Sequence, residues 1–350
     1  MNVQSTLSKS LALAAAATAV VAVVGAVPAD ASVAPASAFV ANDVLRIIGT
    51  NHADAISLDF AGGPDSVAVD FGNGTSQRFN RATFHSATVL LGRGDDSFAT
   101  RSGGSALTDA PRIVYAGTGD DRVSGGAGND FLFGGNGDDT LLGGGGNDFL
   151  FGGNGDDFIN GNVGNDVEFL GSGDDTAGWI PGEGNDTVVG KSGFDSLAFD
   201  GSDGDELMSL SANGSHAVFL RNLGNIRMDL DGVERLDLST FGGVDSVTVN
   251  DLTGTDLTRA DIDLSAATGA GDKKDDTVVV TGTEAADKLD VSASGGTVVV
   301  AGLHAQTRIA GGESTDQLRL DTLGGNDQVT VADAAKALIS VALNLGTGQL

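Results

Sequence analysis

The chain has 350 residues, 54 glycines, no cysteine, and 48 acidic against 19 basic residues, a formal charge of −29. Without cysteine no disulfide can hold the fold together, so an exported protein of this composition needs another staple, such as metal. The acidic balance leaves no basic patch or stripe for a nucleic-acid backbone.

Taken in chain order, residues 1–31 read as a signal peptide. Lys9 supplies positive charge, residues 11–27 are apolar and uncharged, and Ala29-Asp30-Ala31 is a small-x-small cleavage site. Ala36-Ser37-Ala38 is a second candidate cut. An uncleaved membrane anchor is the competing reading, and a run of 17 residues is marginal for a span. Residues 32–41 are rich in Ala and Pro and are expected to be a linker. Residues 42–114 alternate apolar runs with Gly/Asn/Asp turns, which predicts strands over 44–48, 55–60, 67–71 and 88–91. Gly92-Arg-Gly-Asp-Asp96 is a lone repeat-like turn without an evident stacked partner; Asp96 is a turn former first and a candidate ligand second.

Residues 116–178 are seven consecutive nine-residue units of the form Gly-Gly-x-Gly-x-Asp-x-U-x, with U a large apolar residue. Clean copies are Gly125-Gly-Ala-Gly-Asn-Asp130-Phe-Leu-Phe and Gly134-Gly-Asn-Gly-Asp-Asp139-Thr-Leu-Leu. The glycines allow turns closed to other residues. Such a turn aims carbonyl oxygens inward, and the aspartate adds a carboxylate, giving the all-oxygen donor set that a hard cation such as Ca²⁺ requires. The alternating x-U-x is a short strand with one side chain facing a core. A flexible Gly/Asp linker is the competing reading, but a linker has no reason to place Leu132, Leu141, Leu150 and Ile159 nine residues apart. The candidate metal ligands are Asp121, Asp130, Asp139, Asp148, Asp157, Asp166 and Asp175, followed at reduced regularity by Asp186 and Asp195.

On these residues the chain resembles the RTX (repeats-in-toxin) family of secreted proteins with hemolysin-type calcium-binding repeats. The resemblance implies an all-β fold, a parallel β-roll or β-solenoid with calcium-binding turns, over residues 115–199. The eleven residues from Asn129 recur letter for letter from Asn147, so the unit is a pair of nonads, 18 residues, making one coil. Asp121, Asp139, Asp157 and Asp175 then line one side, and Asp130, Asp148 and Asp166 the other. With one ion between each pair of stacked turns, as in the RTX family, about five Ca²⁺ are expected in the contiguous block. Residues 116–189 carry 14 acidic residues against Arg122 alone. Like-charge repulsion and the entropy of a Gly-rich backbone imply folding only with calcium.

The register breaks after Gly178, where Trp179 and Ile180 are inserted, and resumes at Pro181. Glu168 sits where an apolar U belongs, so either that strand slips by one or the core admits a carboxylate. Asp200, Asp203, Asp205 and Glu206 are expected to form a solvated acidic turn. Residues 200–350 form a second solenoid-like segment with its own repeat: residues 236–251 align with 318–333 at an offset of 82. Gly49-Thr50, Ala53-Asp54, Ile56 and Leu58 likewise match Gly282-Thr283, Ala286-Asp287, Leu289 and Val291 at an offset of 233. Asp245 and Asp327, whose loops lack a glycine, are expected to be turn formers rather than ligands.

No His-Glu-x-x-His and no Gly-x-Ser-x-Gly is present, and His52, His85, His216 and His304 lie far apart. No catalytic residue is expected, and no membrane span after signal removal. Three function classes remain: a secreted, extracellular calcium-binding structural or interaction protein; a cell-surface adhesin or surface-layer component; and a β-helical polysaccharide epimerase or lyase. Outward positions seven and nine place Phe131, Phe149, Val167 and Phe133, Phe151, Phe169 in two apolar columns on one sheet. These columns are expected to meet flanking segments of the same chain, to stiffen the sheet, or to contact a second copy, a protein or a cell-surface partner.

Overall fold

Apolar residues at every second position bury one face of a strand, and Gly-rich turns end each strand after a few residues. In a computed structural model, which describes residues 35–60, 65–101 and 110–346, these strands form two sheets of 15 strands each. The expected signal peptide lies outside the described residues. In the repeat block successive strands alternate between the sheets. Phe131–Asn136, Phe149–Asn154 and Val167–Ser172 are neighbours in one, and Arg122–Ala127, Thr140–Gly145 and Phe158–Val163 in the other. Pairing is parallel with an 18-residue register: Leu132 lies opposite Leu150, and Leu141 opposite Ile159. One coil is therefore two nonads, and the molecule is a parallel β-roll.

The core is a file of side chains between the sheets. Val123, Leu132, Leu141, Leu150 and Ile159 are each 0% exposed. The same cluster runs from Leu45 to Ile339, so the flanking segments continue the solenoid end to end. Among the described residues the flanks extend the sheets rather than fold back over the Phe131 and Phe133 columns, which corrects one expectation for that face. Rings stack along it instead: Tyr115, Phe133, Phe151 and Phe169 at 4.7–4.9 Å, and Phe131 on Phe149 at 5.1 Å. That is the spacing between strands of a sheet.

The expected strands of the amino-terminal segment appear as Val44–Ile48, Ala55–Asp59, Ser66–Asp70 and Ser86–Arg93. Antiparallel hairpins interrupt the parallel stacking there and again where Leu207–Asn213, His216–Arg221 and Ile226–Asp231 pair side by side. The expected linker over 32–41 is corrected in part. Ser37–Ala41 is a strand, antiparallel to Val44–Ile48 through a two-residue turn in which Asn42 and Asp43 both take positive φ. Ala38 and Val40 pack on the core, an alternation that the Ala/Pro composition hid. Glu168 does not slip: it pairs in register with Leu150 on one side and Val188 on the other, so the core admits a carboxylate.

Candidate metal centre

The turn at residues 134–139 shows how the repeat builds a site. Gly135 and Gly137 take φ of 126° and 121°, a region that favours glycine. A methyl group on either would overlap a carbonyl of the preceding coil, Gly117 O or Gly119 O. Glycine at these positions lets adjacent turns stack this closely without strain. The aspartate that follows is then carried inward, and its Oδ1 accepts the backbone N–H of the aspartate one coil earlier. One column links Asp121 to Asp139 (2.8 Å), Asp139 to Asp157 (2.8 Å), Asp157 to Asp175 (2.7 Å) and Asp175 to Asp195 (3.0 Å). The other links Asp130 to Asp148 (2.7 Å), Asp148 to Asp166 (2.7 Å) and Asp166 to Asp186 (2.8 Å). All nine sequence-predicted residues fall in these two columns, each at most 3% exposed.

The second carboxylate oxygen is what makes the columns chemically unusual. Oδ2 of Asp121, Asp139, Asp148, Asp157, Asp166, Asp175 and Asp195 is buried without a hydrogen-bond donor. Burial pushes these carboxyls up, to about 7 for Asp139, Asp148, Asp157, Asp166 and Asp195 and to about 6 for Asp121, with neighbouring acidic groups adding to it. Several of these oxygens face a small space that a carbonyl also lines. Beside Gly143, for instance, Asp148 Oδ2 and Gly161 O both lie against the point a Cβ would occupy. Among the described residues no three acidic or histidine side chains converge on one point, so an ion here depends on carbonyl as well as carboxylate oxygens. Carboxylate plus carbonyl oxygens, with no nitrogen or sulfur donor, fit Ca²⁺.

The columns reach further than the sequence indicated. Asp96, for which no stacked partner was evident, donates its N–H to Asp121 Oδ1 at 2.7 Å and leaves its own Oδ2 buried and unpartnered. Asp245 and Asp327 were expected only to form turns, yet they occupy ladder positions, accepting from Glu206 N (2.9 Å) and Asp287 N (3.0 Å). The acidic cluster at 200–206 is likewise not a wholly solvated turn: Glu206 is 0% exposed and paired with Arg221. Elsewhere the chain closes a carboxylate with its own donors. Arg112, itself 1% exposed, lies 3.3 Å from Asp130 Oδ2, and the Thr283 N–H closes Asp287 Oδ2 at 2.7 Å. Spacing could have revealed Asp96 through its two alternate glycines; Arg112 lies outside the nonads and carries no such signal.

Buried aspartates stacked on glycine turns define a β-roll of the cation-binding kind. The family model for the RTX calcium-binding nonapeptide repeat (4 copies) matches residues 115–150, 142–177 and 181–209. These segments are RTX repeats, and the protein is a calcium-binding β-roll protein over that stretch. No curated protein matches the chain.

Proposed function

We propose that this is a secreted calcium-binding structural or interaction protein whose β-roll folds on Ca²⁺ outside the cytosol. Asp121, Asp130, Asp139, Asp148, Asp157, Asp166, Asp175, Asp186 and Asp195 supply the carboxylates, and turn carbonyls complete each site. The observation that carries this reading is the file of buried, donorless Oδ2 atoms, because an unpaired buried carboxylate oxygen is costly and a cation offsets that cost. The contiguous block holds about five ions. The turns of Asp96, Asp186 and Asp195 stack on the same columns and raise the number of inter-turn positions to eight, five on one side and three on the other. At ten times Kd each site adds about 1.4 kcal/mol, so five independent sites contribute roughly 7 kcal/mol, comparable to the whole stability of a domain. Extracellular modules bind with Kd on the order of 10⁻⁴–10⁻³ M, which keeps the chain unfolded and export-competent in the cytosol.

A second reading, a cell-surface adhesin or surface-layer component, is favoured by the half-buried aromatic columns around Phe133 and Phe151 on the outer face of their sheet. Calorimetric titration with Ca²⁺ and far-ultraviolet dichroism of the leaderless protein test the main reading. Cooperative gain of β signal on calcium addition, with Mg²⁺ a poor substitute, is expected. A spectrum indifferent to chelator rejects it. Retention on cells after fractionation separates the adhesin from the soluble protein.

A further inference from the structure

The two-residue insertion after Gly178 lengthens the coil that stacks on the Asp166 turn of the second column, and that turn leads into the one charged residue at a U position. In two other turns the first glycine faces its own aspartate Oδ2 and the carbonyl of the next coil: Asp148 with Gly161 O beside Gly143, and Asp130 with Gly143 O beside Gly125. Beside Gly161 the three nearest atoms all belong to Asp166, and no carbonyl of the next coil is among them. That next coil begins at Pro181, after Trp179 and Ile180. Asp166 therefore crowds this glycine more closely than Asp130 or Asp148 crowds its own.

Glu168 reaches the same glycine from the strand that follows. Its Oε1 accepts the Gly161 N–H at 2.6 Å, which holds the carboxylate against the residue that Asp166 Oδ2 also faces. Its Oε2 is buried with no donor, as is Asp166 Oδ2, and the whole side chain is only 1% exposed. The groups acting on it electrostatically are all acidic: Asp186, Asp166 and Glu183. Glu183 is not free to answer it, since Asn162 and the Ile180 N–H already donate to its two oxygens at 3.1 and 2.8 Å.

We propose that Glu168 is a cation ligand, adding a second buried carboxylate to the Asp166 turn. The site takes Ca²⁺ with one carboxylate more than the other turns of the column. Because affinity in such sites rises with the number of charged ligands, this ion is the most tightly held of the column. The inference rests on calcium occupying the β-roll turns, and its test is separable from that reading.

The test compares the wild-type chain with Glu168→Leu, which restores the repeat pattern, and Glu168→Gln, which keeps the acceptor for Gly161 while removing the charge. Calcium is counted by native mass spectrometry, and titration resolves the highest-affinity step. One ion fewer, with loss of the tightest step, is expected in Glu168→Leu, and a weakened tightest step in Glu168→Gln. A wild-type ion count and unchanged tightest step in both variants overturn the proposal and make Glu168 a protonated core residue. If the wild type itself binds no calcium, the broader reading fails instead. Should Glu168→Leu fail to fold, Glu168→Gln alone decides.

Discussion

At the residue scale, the position of an aspartate in its column determines what its removal does. Asp148 lies between the stacked turns of Asp130 and Asp166. Asp130 ends the same column against Arg112, whose guanidinium already supplies a positive charge. Asp148→Ala is therefore expected to weaken two adjacent calcium sites, and Asp130→Ala fewer; equal losses of ions per chain in titration would reject the inter-turn arrangement. Asp121 is not such an end, because the Asp96 turn stacks beyond it. The raised carboxyls give a pH dependence whose sign is opposite in the two metal states. In the metal-free fold, Asp139, Asp148, Asp157, Asp166 and Asp195 are lifted by burial to about 7, above their ordinary value of 3.8. Their contribution to metal-free stability is thus fully present below about pH 4 and lost as pH rises through about 7. Calcium competes with those protons, so its affinity falls as pH drops below about 7. Dichroism of chelated protein at pH 5 and 8, beside calcium titrations at both, is expected to show more metal-free structure and weaker binding at pH 5. The ligand columns were legible because each aspartate recurs with its glycines. Arg112, Arg221 and the Thr283 N–H were not, since groups that close a carboxylate come from parts of the chain that obey no nine-residue rule.

At the scale of the element, the turns depend on backbone conformations that only some residues tolerate. Gly137 has φ 121°, and an added methyl meets Gly119 O of the coil before it. Gly137→Ala is expected to cost at least about 1–3 kcal/mol from backbone strain alone, read as a lower urea midpoint in saturating calcium. Lys191 provides the reverse case, since it occupies the second position of its turn at φ 97°. Lys191→Gly is expected to raise stability by about 1 kcal/mol in the same assay; an unchanged midpoint would mean the strain is relieved elsewhere. Repeat strands were readable because the U side chains alternate with outward ones and recur at 18. The hairpin of Ser37–Ala41 was not, because alanine carries little hydrophobic contrast and the Asn42-Asp43 turn adopts its form without glycine. Glu168 was visible as a break in the pattern, but only the pairing with Leu150 and Val188 decides between a slipped strand and a buried carboxylate.

At the scale of the whole molecule, one solenoid core joins a highly charged block to flanks that use the same stacked turns with fewer open carboxylates. Charge therefore bears on the middle of the rod most. Metal removal is expected to unfold residues 115–199 first, with the flanks retaining more of their amide protection, measurable by hydrogen exchange with and without chelator. The outer face of that block is a separate matter, since among the described residues no flanking strand is stacked over it. Aromatic pairs contribute about 0.5–1.5 kcal/mol each beyond their burial. The double variant Phe133→Ser with Phe151→Ser removes all three contacts in the column from Tyr115 to Phe169. If the rings act by stiffening the sheet, the variant loses about 1.5–4.5 kcal/mol in calcium, by that same increment per pair, while its ion count stays at the wild-type value. If stability is unchanged, stacking adds nothing to the fold. The rings are then held in line for a partner, and sedimentation of the variant shows a monomer where the wild type associates. We expect the first result, because the rings already satisfy one another at the strand spacing and need no second surface to be ordered.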